Sequence, residues 1–86
     1  MTARSDIANE IRKFIQEKFP AARHKSFHDD VSMLENGVVD SLGILEIVVF
    51  IEKTFAVSVT DDELTPRNFS SIDSLSDYLM AKKHDA

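Results

Sequence analysis

The sequence predicts an all-α fold, a small bundle of four helices in which three helices are longer and the third is short. Apolar residues recur at spacings of three and four in separate stretches, which is the period of an amphipathic helix. Only two glycines and two prolines occur in 86 residues, which suits helices better than a turn-rich β fold. The length is that of one domain with one small core, so residues 1–86 are expected to form a single unit.

The first helix is predicted over residues 4–19. Its apolar side chains make one stripe that we expect to lie in the core, composed of Ile7, Ile11, Phe14, Ile15 and Phe19. Pro20 ends this helix, because proline disfavours a helical conformation at the residue before it. We assign no function to this stripe beyond packing.

A long connection over residues 20–40 separates the first two helices. Connections of this length are uncommon in small domains unless they pack against the core or carry function. Asn36 and Gly37 predict a turn. The run from His28 to Asp30 is interpreted as a solvated loop, because the chain supplies no matching set of metal ligands. Four apolar side chains are predicted to hold the connection to the core: Phe27, Val31, Leu34 and Val39.

The second helix, predicted over residues 41–55, carries two apolar stripes. Successive residues of a helix are rotated by about 100° around its axis, which divides the apolar side chains into two groups. The wider stripe is expected to face the core and contains Ile44, Ile47, Val48, Ile51 and Phe55. The narrower stripe lies about 130° away around the helix and is here called the outer stripe; it contains Leu42, Leu45 and Val49. The residues that flank the outer stripe are Glu46, Glu52 and Lys53. Small domains rarely bury both sides of one helix, so the outer stripe is predicted to contact a partner, with burial in the core as the alternative.

Two features mark the start of this second helix. Asp40 and Ser41 are both favoured N-cap residues. Gly43 lies in the first turn, where glycine costs about 1 kcal/mol relative to alanine. One explanation for that glycine is that a ligand or partner approaches the backbone closely here.

The remainder of the chain predicts a short element and a final helix. Thr60 and Glu63 form a capping-box pattern, so a helical turn is expected to begin there, with Pro66 keeping it short or displacing its end. The final helix is predicted over residues 71–83, capped by Ser70 or Ser71. Its inward residues are expected to be Ile72, Leu75 and Leu79, with Tyr78 beside them.

Charge and composition limit the classes of partner. The chain has 15 acidic and 10 basic residues, a net charge of −5, which argues against nucleic-acid binding because the phosphates would be repelled. The same charge favours partners with basic patches. There is no cysteine, which fits a reducing cytoplasm, and no apolar run is long enough to cross a membrane. We expect a monomeric cytoplasmic protein without stable membrane association.

Ser41 admits three interpretations: a catalytic nucleophile, a helix cap or a modification site. A nucleophile needs a base and an oxyanion hole, and no Gly-x-Ser-x-Gly motif surrounds Ser41, so an enzyme is not expected. A cap alone is the simpler function for a serine at a helix start. The preceding Asp40 and the outer stripe that follows favour a site beside which another protein docks in order to modify it.

The residues around Ser41 resemble a known family. The run from Gly37 to Leu42, Gly-Val-Val-Asp-Ser-Leu, with Glu46 beyond it, is similar to the prosthetic-group site of acyl carrier and peptidyl carrier proteins. The resemblance covers nearly the whole chain, including the first helix, the long connection, the short third element and the closing segment from Asn68 to Leu75. The Asp-Ser-Leu triplet gains its specificity from its place at a helix start in a chain of this length.

The resemblance implies a non-catalytic carrier. Ser41 would carry a 4′-phosphopantetheine arm through a phosphodiester, and the terminal thiol of the arm would hold acyl or aminoacyl groups as thioesters. Asp40 would assist the phosphopantetheinyl transferase that attaches the arm, with the magnesium bound at that enzyme and not at this chain. The family's partner-recognition positions correspond here to Leu42, Leu45, Glu46, Val49 and Glu52.

Two residues differ from the pattern of the acyl carrier proteins of fatty-acid synthesis. Gly43 and Lys53 stand where carriers of fatty-acid synthesis often have acidic residues. The Asp-Ser-Leu-Gly run is more similar to stand-alone carriers of specialised pathways, so an adenylate-forming ligase and downstream synthase or transferase enzymes are the expected partners. A carrier of housekeeping fatty-acid synthesis and an unmodified helical adaptor that uses the outer stripe only for protein contact remain alternatives. Fatty acyl, aryl, aminoacyl and polyketide cargoes all stay open.

Overall fold

The computed structural model describes residues 3–25 and 27–85, with the backbone alone for the last two. Four helices occur, α1 (Arg4–Lys18), α2 (Ser41–Phe55), α3 (Pro66–Phe69) and α4 (Ile72–Asp85), with 3₁₀ turns at Pro20–Arg23 and Asp61–Glu63. No strand is present within these ranges, so the predicted all-α fold with a short third helix is confirmed. None of the described helices is both long and apolar enough to pass through a membrane.

The core is built from the inward faces of all four helices, and α1 packs most extensively along α4. Burying an isoleucine or leucine stabilises the fold by roughly 1.5–3 kcal/mol relative to leaving it exposed. Four residues of the predicted α1 and α2 stripes lie at the edge of the core and are only half-buried: Phe14, Phe19, Ile44 and Val48. The fully buried side chains of the helices include Ile7, Ile11, Ile15, Ile47, Ile51, Phe69, Ile72, Leu75 and Leu79.

The connection between α1 and α2 packs against the core partly as predicted: Val39 is buried and Phe27 packs against the core half-buried, but Met33 was not predicted. Met33 is fully buried, its N–H donates to Ser70 O at 2.7 Å, and its carbonyl accepts from Val38 N at 2.9 Å. The prediction that Leu34 tethers this segment is wrong, because Met33 fills the core and leaves Leu34 39% exposed. The predicted turn is confirmed: Gly37 has a φ of +69°, a conformation that glycine adopts without steric cost.

An ion pair and a backbone bond tie the same connection to α1 and α4. Arg12 Nε donates to Asp29 Oδ1 at 2.8 Å, and Arg12 Nη2 pairs with Asp29 Oδ2. This hydrogen bonding holds the pKa of Asp29 below its usual range. Asp73 N, in the first turn of α4, donates to Asp29 O at 2.9 Å. In the described ranges no group of three or more His, Cys, Asp or Glu residues is placed to hold a metal ion.

The segment before α3 is held to α4 by Glu63. Its Oε1 accepts from Lys82 Nζ at 2.6 Å, from Tyr78 Oη at 3.1 Å and from Thr60 N at 3.0 Å, the last being the capping-box bond that the sequence predicted. Pro66 does not end this turn but begins α3, at the first helical position, where the missing N–H costs nothing. Glu63 therefore joins the α2–α3 connection to the final helix.

The stability of the fold is expected to depend on the charge of Glu63. The hydrogen bonds from Lys82 and Thr60 lower the pKa of Glu63 from 4.5 to about 2. A carboxylate with a lowered folded-state pKa contributes stability above its unfolded pKa and loses it as the pH falls through the folded value. We therefore expect Glu63→Gln to reduce stability at neutral pH, and the deficit to shrink steadily below pH 4.5.

Urea unfolding of both proteins over a series of pH values measures this difference. Asp62→Asn is the matched control, because it removes one negative charge from the same turn at an exposed side chain. The control is expected to differ little from the unmodified sequence at any pH. A deficit in Glu63→Gln that does not change with pH would contradict the assignment to the carboxylate.

Candidate functional site

Asp40 and Ser41, at the start of α2, have different roles. Asp40 is the N-cap: its backbone is extended (φ −97°, ψ −176°), and its Oδ1 accepts from Gly43 N at 2.7 Å. Ser41 is therefore the first helical residue, and its side chain is exposed. Within residues 3–25 and 27–85, the Ser41 hydroxyl has no hydrogen-bond partner. The cap-only interpretation of Ser41 fails, because Asp40 performs that function.

Gly43 is explained by packing inside the protein. A Cβ atom at this position would lie 2.7 Å from Val39 Cγ1 and 2.9 Å from Phe19 Cε1, closer than van der Waals contact allows. The expectation that a ligand or partner approaches the backbone here is replaced by this internal reason. The ring of Phe19, just after α1, therefore lies against the first turn of α2, the turn that begins with Ser41.

The outer stripe is exposed, as predicted. Leu42 is 73% exposed, Leu45 53% and Val49 50%, so the alternative that these residues are core is excluded. Glu46 is exposed among them. Single exposed apolar side chains are ordinary, but a row of three along one helix face is typical of a protein contact surface.

Glu52 differs from the other predicted recognition residues. Its Oε2 accepts from Val59 N at 2.9 Å, and its side chain is half-buried. This bond closes the loop that follows α2. Glu52 thus stabilises the fold, whether or not a partner also contacts it.

A shallow groove of about 280 Å³ opens beside Ser41. Two exposed leucines on its walls, Leu34 and Leu64, are residues that the sequence did not indicate as functional. They come from the two connections on either side of α2, so no local pattern could have found them. The groove is lined by Leu34, Ser41, Ile44, Leu45, Leu64, Thr65, Pro66 and Phe69.

This arrangement suits the attachment of an anionic group to Ser41. The N-terminus of a helix favours negative charge by about 0.3–1 kcal/mol at exposed positions, and the hydroxyl lies in the first helical residue. A phosphodiester there would be exposed to solvent, with an apolar groove next to it for an attached chain.

The hydrogen bond from Gly43 N to the Asp40 side chain is expected to stabilise the folded protein. Asp40→Ala is expected to destabilise the protein by about 1 kcal/mol, because Gly43 N–H loses its acceptor. Asp40→Asn retains an acceptor oxygen and is expected to remain within about 0.5 kcal/mol of the unmodified sequence. Denaturant unfolding of the two variants measures both values. Equal losses in Asp40→Ala and Asp40→Asn would show that the cap bond is not what Asp40 contributes.

Comparison with known proteins adds two findings. The family described as phosphopantetheine attachment site matches residues 9–79, which extend from α1 into α4. The chain is also 25% identical over 76 residues to the acyl carrier protein AsbD of Bacillus anthracis, an alignment that covers 88% of this chain and 84% of that protein. Both matched regions are long enough to include the start of α2.

Proposed function

Because the chain belongs to the phosphopantetheine attachment family, and is thus a carrier protein and not an enzyme, we propose that Ser41 is the residue that bears its 4′-phosphopantetheine arm. When bound, the arm supplies a terminal thiol that holds an acyl or aminoacyl group as a thioester. The chain's own contribution is to present one hydroxyl to a transferase and then to present the loaded arm to other enzymes.

The observation that carries this proposal is the free hydroxyl at the first position of α2. Ser41 is exposed and is released from capping by Asp40. A side chain that makes no internal hydrogen bond is modified without loss of a stabilising contact. The helix N-terminus favours the negative phosphodiester that results.

Asp40 is proposed to assist the transferase as well as to cap α2. Its Oδ1 is engaged with Gly43 N, whereas Oδ2 has no partner in the described part of the chain. Asp40→Asn retains the cap and removes the charge, so slower arm attachment to a stably folded Asp40→Asn variant would report the carboxylate's role in attachment alone.

Carrier proteins of this family interact with a phosphopantetheinyl transferase and with the enzymes that load and use the arm. We assign partner contact to the outer stripe and Glu46, which lie on the helix that starts at Ser41. An adenylate-forming ligase of a specialised pathway is the proposed loading enzyme. We further propose that the chain is a monomer in the cytoplasm, where coenzyme A supplies the arm.

The test is the mass of the protein before and after incubation with coenzyme A, magnesium and a broadly acting phosphopantetheinyl transferase. We expect the mass to increase by one phosphopantetheine group. A mass that stays unchanged with several such transferases would overturn the proposal.

A further inference from the structure

A second groove, on the other side of α2 from the one beside Ser41, has a distinct composition. Its volume is about 350 Å³, and it lies between the C-terminal part of α1 and α2. Phe14 and Phe50 stack beneath it with ring centroids 4.1 Å apart and ring planes 10° from parallel. Both rings are half-buried, so part of each faces the groove. The lining residues are Phe14, Lys18, Glu46, Val49, Phe50, Lys53 and Thr54.

The charges around this groove are opposite to those of the chain as a whole. The chain carries −5, but two exposed lysines, Lys18 and Lys53, line the groove with a single carboxylate, Glu46. No ion pair of either lysine is found among the residues that the structure describes. Two ammonium groups without partners above an apolar floor are complementary to a carboxylate next to an apolar side chain.

The groove is continuous with the outer stripe. Val49 belongs to both, and it is 50% exposed. Charged side chains of both signs therefore lie beside this part of α2. Glu46 lies in the middle of the helix, and Lys53 lies in its last turn next to Glu52, whose carboxylate accepts from Val59 N.

We infer that the groove between α1 and α2 receives an acidic, apolar segment of a partner enzyme. An aromatic or branched aliphatic side chain of the partner lies over Phe14 and Phe50, and a neighbouring carboxylate pairs with Lys18 and Lys53. The same partner presents a basic side chain toward Glu46. This inference rests on the proposed carrier function, because it concerns which enzymes bind to α2. Partners that fit the groove have a contact surface with both positive and negative side chains.

The test uses the full chain, isotopically labelled for NMR, and two synthetic probes. One probe is an amphipathic helical peptide with leucine and phenylalanine on one face and glutamates beside them; the other has lysine in place of each glutamate. We expect the glutamate peptide to shift the amide signals of Lys18, Val49 and Lys53, and to bind about tenfold more tightly than the lysine peptide at low salt. The preference should weaken as salt is added.

The double variant Lys18→Glu/Lys53→Glu is expected to reverse the preference between the two peptides. Lys13→Glu is the matched control, since Lys13 is an exposed lysine of α1 outside this groove, and it should leave the preference unchanged. Equal binding of the peptides, or no shift at the groove from either, would overturn the inference. NMR signals of the groove residues that shift when the protein alone is diluted would also overturn the inference, because they would show that a second copy of the chain occupies the groove. Because the titration needs no arm, its failure is distinguishable from failure of the mass test.

Discussion

Ser41→Ala is expected to abolish arm attachment completely. The arm is joined through the serine oxygen, so without it no phosphodiester forms and the mass stays that of the unmodified chain after incubation with coenzyme A and transferase. The loss should occur without unfolding, because the Ser41 side chain is exposed and Asp40 caps the helix. We expect its free energy of unfolding to remain within about 0.5 kcal/mol of the unmodified sequence.

Ser58→Ala is the control for this loss. Ser58 is also an exposed serine and lies in the connection that follows α2. It should gain the full mass increase. An increase that persists in Ser41→Ala would move the attachment site elsewhere, and a large loss of stability in that variant would restore the capping role to Ser41.

Gly43→Val is expected to destabilise the protein by roughly 1–3 kcal/mol, the cost of inserting methyl groups into a filled site. The first added carbon would already lie 2.7 Å from Val39 and 2.9 Å from Phe19. We expect the first turn of α2 to shift away from Phe19 and Val39 to relieve these contacts, and Ser41 to shift with it. Slower arm attachment should therefore accompany the loss of stability.

Leu42→Val isolates the packing effect at Gly43. It places the same β-branched side chain one residue earlier in the same turn, where the side chain is 73% exposed. We expect a change of about 0.5 kcal/mol or less. Chemical denaturation of both variants gives the two values. Valine has a higher helix propensity than glycine, so a loss in Gly43→Val no larger than that in Leu42→Val would contradict the role of the contacts with Phe19 and Val39.

The helices could be predicted because their signals are local. Apolar spacing identified the buried stripes of α1, α2 and α4, and a second apolar spacing on α2 identified the exposed outer stripe. The start of α2 was only partly predictable. Asp40 and Ser41 are both good caps, and nothing in a linear pattern decides between them; the extended backbone at Asp40 does.

The surroundings of the site depend on contacts between residues far apart in the chain. Leu34 comes from the connection before α2 and Leu64 from the connection after it, yet both line one groove, and Phe14 of α1 stacks on Phe50 of α2. The bond between Glu63 and Lys82 likewise joins separate segments. Sequence spacing predicts which face of an element is apolar, but it does not predict which elements that face will meet.

Leu34 shows how such an error arises. Met33 and Leu34 are both apolar and adjacent, and a connection has no fixed period that assigns one of them to the core. The backbone bonds of Met33 to Ser70 and Val38 make that assignment. Gly43 was misinterpreted for a related reason, because the side chain that fills the space beside it belongs to Phe19.

Peptide fragmentation by mass spectrometry, applied to the protein purified from its native host, identifies directly which residue carries the phosphopantetheine group. Trypsin releases residues 26–53 as one peptide that contains Ser41. We predict that this peptide carries the phosphopantetheine group and that fragmentation assigns it to Ser41. A group found on another residue, or a Ser41 that is unmodified while the group is present elsewhere in the chain, would contradict it.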